Sequence, residues 1–374
     1  MTQPQLTSAL NRWQTIALAA GGIASGLSLA GGWFNHAQFF HSYLFAWLFW
    51  IGLSLGGLVV VMMQNLTGGM WGLAVRNLCI GAIMALPLLV LLFAPVLFGL
   101  HDIYGWANGI LSSTPGAHHK QQYLNVPFFI GRSLFYFAVL LVFGFVLRRR
   151  YHEQPARSPV ALSASGLISY VLCMNFASTD WVMSLTPEWY STIFVIVFMA
   201  GQFLAALALT TALLCLLSDP ERVPTKALHD LGNMVLAFVI FWIYVSFSQL
   251  LIIWSGNLPK EISWYLPRSR GGWQWVALVL TVGEFLLPFA LLLSREAKRS
   301  RYWLAGICLC IVAMSVVNNF WLVAPAFHPK GFFVHWLDVT ELLGIGGFWF
   351  ALFLRSLKSR PLIAFPLLEA RQHG

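Results

Sequence analysis

Five charged side chains stand where charge is expensive. Arg132, Asp180, Glu284, Asp338 and Glu341 fall inside long apolar segments, while nearly all the rest of the 22 Lys and Arg and 13 Asp and Glu sit in the short stretches between them. At the centre of a bilayer a charge costs about 2.5–3.5 kcal/mol on an insertion scale, so such residues face protein, water or one another and commonly mark ion or proton paths. Glu284 is the most central, in GGWQWVALVLTVGEFLLPF. A carboxylic acid held away from water can take up and release a proton, which makes Glu284 a candidate carrier. Pro288, four residues on, has no N–H and weakens the local helical ladder, which admits a polar partner or water beside the acid. The alternative role for Glu284 is structural, as a protonated acid bonded to a neighbouring helix.

Asp180 lies near one end of its segment in NFASTDWVMSLTPEWYS, and Arg132 enters its own segment from that same side. Asp338 and Glu341 lie near the same side of the last segment, so all four can share one depth layer. There an arginine offsets the desolvation of a carboxylate and leaves other acids for proton exchange; a purely structural Arg132–Asp180 pair fits the same placement. His229 and Asp230 open the seventh segment at the opposite side, and His101 and Asp102 end the third. Histidine titrates near neutrality and a carboxylate can orient it, although helix ends at an interface carry such pairs cheaply in any case. The expected proton route is therefore Asp180, His229, Asp230, Glu284, Asp338 and Glu341, with Arg132 as electrostatic partner.

Other chemistry is not written into the chain. Cys79, Cys173, Cys215, Cys308 and Cys310 lie mostly in apolar runs and make neither a C-x-x-C-H haem motif nor an iron–sulfur spacing, so they are expected to pack as thiols. The sequence has no phosphate-binding glycine loop with lysine, no H-E-x-x-H and no G-x-S-x-G, and its TGGMWG follows an apolar segment rather than a strand. No catalytic, cofactor-binding or metal-ligating residue is expected.

The elements that must hold these residues are legible from composition. Of 374 residues 59% are hydrophobic and 9% charged, against about 25% charged in soluble domains, which excludes the ordinary water-soluble classes. Ten segments of at least 21 residues stand out: 15–35, 43–64, 77–99, 126–147, 161–183, 190–217, 231–254, 273–293, 302–323 and 334–354. About 20 helical residues cross a hydrocarbon core of about 30 Å. The expected fold is an all-α polytopic membrane protein, one integral membrane domain over 1–374. The segment 190–217 exceeds the need and is expected to tilt or project. The net charge of +9 reflects topology rather than nucleic-acid binding, because the basic residues segregate. Sixteen, including Arg12, Arg76, Arg148–Arg150, Arg157, Lys298, Arg301, Arg360 and Arg371, fall on the side of the termini, and five, Lys120, Lys260, Arg268, Arg270 and Lys330, fall opposite. That asymmetry places both termini in the cytoplasm. The start, MTQPQLTSALNRWQ, lacks the features of a cleaved signal peptide. The longer far-side loops are aromatic and rich in Gly and Pro, suited to a lid or docking surface or simply to connecting helices. SYLFAWLFWIG (42–52) and STIFVIVFMAG (191–201) share Ser, Phe, Phe and Gly at equivalent positions, which suggests a parallel repeat of spans 2–5 and 6–9 with spans 1 and 10 outside; transporters also carry such repeats. Gly22 with Gly26, and Gly52 with Gly56, stand four apart, where neighbouring helices can approach closely.

The segments SYLFAWLFWIGLSLGG, QNLTGGMWG, YLNVPFFIGRSLFYF, STDWVMSLTPEWYSTIF, HDLGNMVLAFVIFWIYVSFSQLLIIWSGNLPKEISWY and FWLVAPAF, in that order, closely resemble one family over nearly the whole chain. It is the second large quinone-binding-type membrane subunit, ActF, of bacterial alternative complex III, similar to a diverged branch of the NrfD/PsrC-type membrane proteins. The resemblance implies ten helices with two four-helix bundles, 43–183 and 190–323, and a place in a quinol:cytochrome c (or other periplasmic acceptor) oxidoreductase of the bacterial inner membrane. It implies partners as well: multihaem cytochrome c subunits, a large iron–sulfur subunit, a companion NrfD-like subunit that oxidises quinol, and membrane lipids. Haem c, iron–sulfur clusters and quinol then belong to those partners and no cofactor to this chain. The resemblance carries a proton route onto Asp180, Glu284, His229 and Asp230, with Arg132 beside it. The family commonly has a more basic turn after TGG than the single Arg76 here. A secondary transporter with a polar midplane pathway and a structural membrane anchor of the redox complex are the competing expectations.

Overall fold

The computed structural model describes residues 3–109, 117–153 and 159–358. Residues 110–116 of a far-side loop, and Arg157, Arg360 and Arg371 from the basic side, lie outside the described residues. Among the described residues every regular element is helical, and ten helices are long and apolar enough to cross a membrane. They are span 1 (Ser8–Phe34), span 2 (His36–Thr67), span 3 (Met70–Phe98), span 4 (Val126–Glu153), span 5 (Val160–Leu185), span 6 (Phe194–Leu217), span 7 (Thr225–Gly256), span 8 (Trp273–Leu293), span 9 (Arg301–Phe327) and span 10 (Trp336–Lys358). In hydrocarbon every backbone N–H and C=O must be satisfied within the chain, which is why apolar segments of this length become helices.

Each helix overlaps one expected segment, but their ends differ for local reasons. Spans 2 and 7 each run 32 residues, about 48 Å at 1.5 Å per residue, so they project beyond the hydrocarbon. Span 2 starts where the Asn35 side chain accepts a hydrogen bond from the Gln38 N–H at 3.3 Å, a polar cap on an otherwise apolar helix. Span 7 stops at Asn257, which adopts φ 47° and donates its N–H to the Ile253 carbonyl. Span 6 begins at Phe194 and is 24 residues long, so the expected overlong helix from 190 is corrected; residues 190–193 belong to the turn before it. Span 3 begins at Met70, not 77, and is broken into Met70–Ile83, Leu86–Leu91 and Ala94–Phe98. Pro87 and Pro95 lack the N–H that would continue the ladder.

Span 2 is the centre of the molecule. Its apolar stretch is entirely buried, and it packs against spans 1, 3, 5, 6, 9 and 10. The approach of spans 2 and 6 depends on the glycines read from the sequence: a Cβ on Gly56 would lie 2.1 Å from the Gln202 carbonyl oxygen, and one on Gly52 would lie 3.3 Å from Gln202 Cγ. The Gly22–Gly26 face behaves differently, with nothing within 4 Å of either position. Contact between spans 1 and 10 is made by the adjacent Gly21, whose added Cβ would meet Gly347 Cα at 3.0 Å. Span 10 is fixed to span 2 by buried indoles, Trp50 Nε1 donating to the Leu342 carbonyl at 2.9 Å and Trp349 Nε1 to Ser54 Oγ at 2.8 Å. Such polar bonds between helices matter in a core where apolar contact distinguishes protein poorly from lipid.

Candidate functional site: four separated polar groups in the spans

The expected route residues and Arg132 fall into four groups, and no hydrogen bond or ion pair among the described residues joins one group to another. The first lies between spans 4 and 5. Asp180 is fully buried and takes two bonds from one guanidinium, Arg132 Nε to Oδ2 at 2.9 Å and Nη2 to Oδ1 at 2.8 Å, plus a third from the Tyr136 hydroxyl at 2.9 Å. Arg132 Nη1 donates to the Tyr123 carbonyl at 2.9 Å, and the guanidinium lies 3.8 Å from the Tyr123 ring centre and 4.2 Å from that of Phe128. An acid whose oxygens accept three bonds from fixed partners is held, not poised to exchange protons, so the geometry favours the structural role for this pair.

The second group joins span 10 to span 2. Asp338 accepts from Ser42 Oγ at 2.6 Å and from the His335 N–H at 2.8 Å. Gln38 Nε2 donates to Ser42 Oγ at 3.0 Å, and Gln38 Oε1 lies 3.2 Å from His328 Nε2. A hydrogen-bonded chain thus runs from His328, in the loop after span 9, through Gln38 and Ser42 to Asp338. Gln38, Ser42 and His328 were not singled out by sequence reasoning; the available signal was the four-residue spacing of Gln38 and Ser42, which puts both on one helical face. Glu341, one turn beyond Asp338, is 3% exposed and its Oε1 has no partner. Of the carboxylates expected in one depth layer, Arg132 bonds to Asp180. Span 4 packs on span 5 and the middle of span 3, whereas span 10 packs on spans 1, 2 and 3, so Arg132 reaches Asp180 alone.

Glu284 forms the third group by itself. Residues Thr281–Leu286 wind as a π-helix immediately before Leu287 and Pro288, and Glu284 is its buried member. Pro288 offers no N–H to the Glu284 carbonyl, and the widened turn is the backbone's response to that missing bond. Gly283 lets span 9 approach, since a Cβ there would lie 2.6 Å from Met314 Sδ. The Ser315 hydroxyl is 3.5 Å from Glu284 Oε1, the carboxyl is 0% exposed, and Oε2 has no partner. No Lys, Arg or His among the described residues lies within 4.0 Å of it.

The fourth group is at the start of span 7. His229 Nδ1 is 3.7 Å from Asp230 Oδ1 and 3.3 Å from Asn233 Nδ2, while Asn233 Oδ1 accepts from Lys298 Nζ at 2.8 Å. Lys298 is only 7% exposed, its stem packed where Gly232 has no side chain. The sequence places it among loop charges; the structure makes it part of this cluster. Arg76 likewise leaves the loop tally, being buried in span 3 with its guanidinium 4.6 Å from the Tyr151 ring centre. Arg268 is the third such residue, a loop cation by sequence that is 4% exposed in the structure. No set of three or more His, Cys, Asp and Glu that could hold a metal occurs among the described residues, and all five cysteines are free.

Together these features define a polytopic, all-α membrane protein with ten membrane-spanning helices and buried carboxyl groups within them. No family model matches the chain, and no curated protein is significantly similar to it.

Proposed function

We propose that this chain is the proton-conducting membrane subunit of a quinol-oxidising respiratory complex of the alternative complex III type, set in the bacterial inner membrane with both termini cytoplasmic. Glu284 carries the reading. It is a fully buried carboxyl group in a locally unwound helix, with one oxygen unpartnered and the other at 3.5 Å from a serine hydroxyl. A purely structural acid is expected to have its oxygens satisfied, as those of Asp180 are. Intramembrane ionisable groups in such settings serve proton relays. The His328–Gln38–Ser42–Asp338 chain supports entry or exit at one side and the His229, Asp230, Asn233 and Lys298 cluster at the other. Water between these groups completes the route in this reading.

The ordered segments that resemble the ActF subunits support the assignment to a redox complex. Electron carriers, haem c and iron–sulfur clusters, then reside in the multihaem cytochrome and iron–sulfur subunits, and quinol is oxidised at the companion NrfD-like subunit. In the same reading spans 2–5 and spans 6–9 are two four-helix bundles, supported by the packing of spans 2, 3, 4 and 5 and of spans 6, 7, 8 and 9 among themselves.

Reconstituted complex carrying Glu284→Gln tests the proposal. Glutamine keeps size and hydrogen-bonding capacity but cannot exchange a proton, so assembly and copurification with haem and iron–sulfur subunits should persist while vesicle acidification per electron falls. Glu284→Asp should be milder. Normal assembly, turnover and proton-to-electron ratio in Glu284→Gln would remove Glu284 from the route.

A further inference from the structure

A cavity of about 410 Å³ opens beside spans 6, 7, 8 and 9 on the side of the loop that joins spans 7 and 8. That is within the roughly 300–1,000 Å³ typical of ligand pockets. The wall within the spans is mostly apolar, with Val197, Ala277 and Leu280 facing the cavity beside the polar Thr281 and Asn318 and with the exposed Phe247 and Leu250 at its edge. At its head sits Arg268, 4% exposed. The guanidinium donates from Nη1 to the Trp264 carbonyl at 2.8 Å, from Nη2 to the Leu322 carbonyl at 2.8 Å and from Nε to the Trp321 carbonyl at 3.3 Å. The last acceptor is free because Pro325, four residues on, has no N–H to offer it. Trp264 stacks on the cation at 3.6 Å.

Every bonded partner of Arg268 is neutral. No carboxylate lies within 4.0 Å of it among the described residues, and no Asp or Glu lines the cavity. Burial pushes its pKa down to about 9, so it remains a cation at pH 7 and its charge is uncompensated. Gln249, Gln274, Thr281 and Asn318 also line the cavity, but its buried unpartnered polar atoms are three hydrogen-bonding groups that can each donate. The indole N–H groups of Trp242 and Trp321 and the Ser246 hydroxyl are buried without partners, and an indole N–H can only donate. Tyr265 accepts from Gln249 at 3.0 Å, and burial pushes it up to about 12, so it keeps its O–H proton. A buried cation among unsatisfied donors costs free energy until an anionic acceptor joins it.

We propose that this cavity binds one membrane phospholipid, with the anionic phosphate at Arg268 and the Trp242, Ser246, Tyr265 and Trp321 donors around it, and with an acyl chain along the apolar wall. A lipid, rather than a soluble anion, fits because the wall within the spans is mostly apolar and its edge residues are themselves exposed on a membrane-spanning helix. The site is independent of the proton route, since none of its residues belongs to the Glu284, Asp338 or His229 groups.

Native mass spectrometry of the full chain, delipidated in mild detergent and titrated with phosphatidylglycerol, tests it. One lipid should bind per chain, uncharged diacylglycerol should bind at least about tenfold more weakly, and Arg268→Gln should lose about tenfold or more in affinity, as removal of a charged hydrogen-bonding group implies. Ser246→Ala, which leaves the buried cation in place, should lose about two- to threefold. Equal binding of phosphatidylglycerol and diacylglycerol overturns the proposal, and so does unchanged affinity in a folded Arg268→Gln chain. Displacement of the lipid by inorganic phosphate alone would show a soluble-anion site and also sink the lipid assignment. If Arg268→Gln fails to fold, the comparison of the two lipids on the unaltered chain decides.

Discussion

Replacing Arg132 by Met keeps a long side chain in span 4 and removes the cation from beside Asp180. Asp180 would lose two of the three side-chain bonds it accepts, those at 2.8 and 2.9 Å, and keep only the Tyr136 hydroxyl, while remaining 0% exposed. Breaking a buried ion pair on one side costs about 3–5 kcal/mol, because a charge is left without compensation. The loss in Arg132→Met should therefore be about 3–5 kcal/mol. Asp180→Asn should cost less, since Arg132 keeps the Tyr123 carbonyl and the Tyr123 and Phe128 rings. The double variant should be less destabilised than the sum of the two single ones. Unfolding followed by circular dichroism in mixed micelles at pH 7 provides all four stabilities. A loss below about 1 kcal/mol, or a double variant as unstable as the sum of the two single losses, would refute a buried, saturated ion pair.

Gly56→Ala would place a Cβ 2.1 Å from the Gln202 carbonyl oxygen and should destabilise by about 1–3 kcal/mol or block folding, whereas Gly22→Ala, with nothing within 4 Å, should be neutral or slightly stabilising; thermal melting of the two variants compares them. Burial holds the His328 imidazole below its ordinary 6.5, against a smaller opposing effect of Asp338. The unfolded chain therefore binds the extra proton first, and this group's contribution to stability is lost as pH falls below about 6.5; melting temperatures at pH 7.5 and 5.5 should diverge less in His328→Gln than in the unaltered chain. Single cysteines at the exposed positions Glu221 and Arg270 should react with an impermeant maleimide in intact spheroplasts only at Arg270, and labelling of Glu221 alone would reverse the orientation drawn from the basic residues.

The sequence by itself determined the number and kind of the elements. Ten uncharged runs of sufficient length leave the backbone no partner but itself in hydrocarbon, so helix follows from composition alone, and the ten helices of the structure overlap those runs. It also located Arg132, Asp180, Glu284, Asp338 and Glu341 within the spans, because a charge among apolar neighbours is conspicuous in one dimension. Sequence further gave the close contact at Gly52 and Gly56, and the local weakness before Pro288 that the structure resolves as a π-helix at Thr281–Leu286. Tertiary structure decided which polar residues meet. Arg132 and Asp180 are separated by 48 residues and Ser42 and Asp338 by 296, and no spacing rule states which helix faces which. The same limit explains why Gly21 rather than Gly22 packs on span 10, since one residue turns a helix by about 100° and rotation is set by the neighbours. The burial of Arg76, Arg268 and Lys298 was not legible for a related reason. Each stands beside loop or helix-end residues in the sequence and reads as solvated, yet the folded chain covers it with Tyr151, with Trp264 and Trp321, or with the open face at Gly232. A cation's surroundings are made by residues distant in the chain, and only packing brings them together.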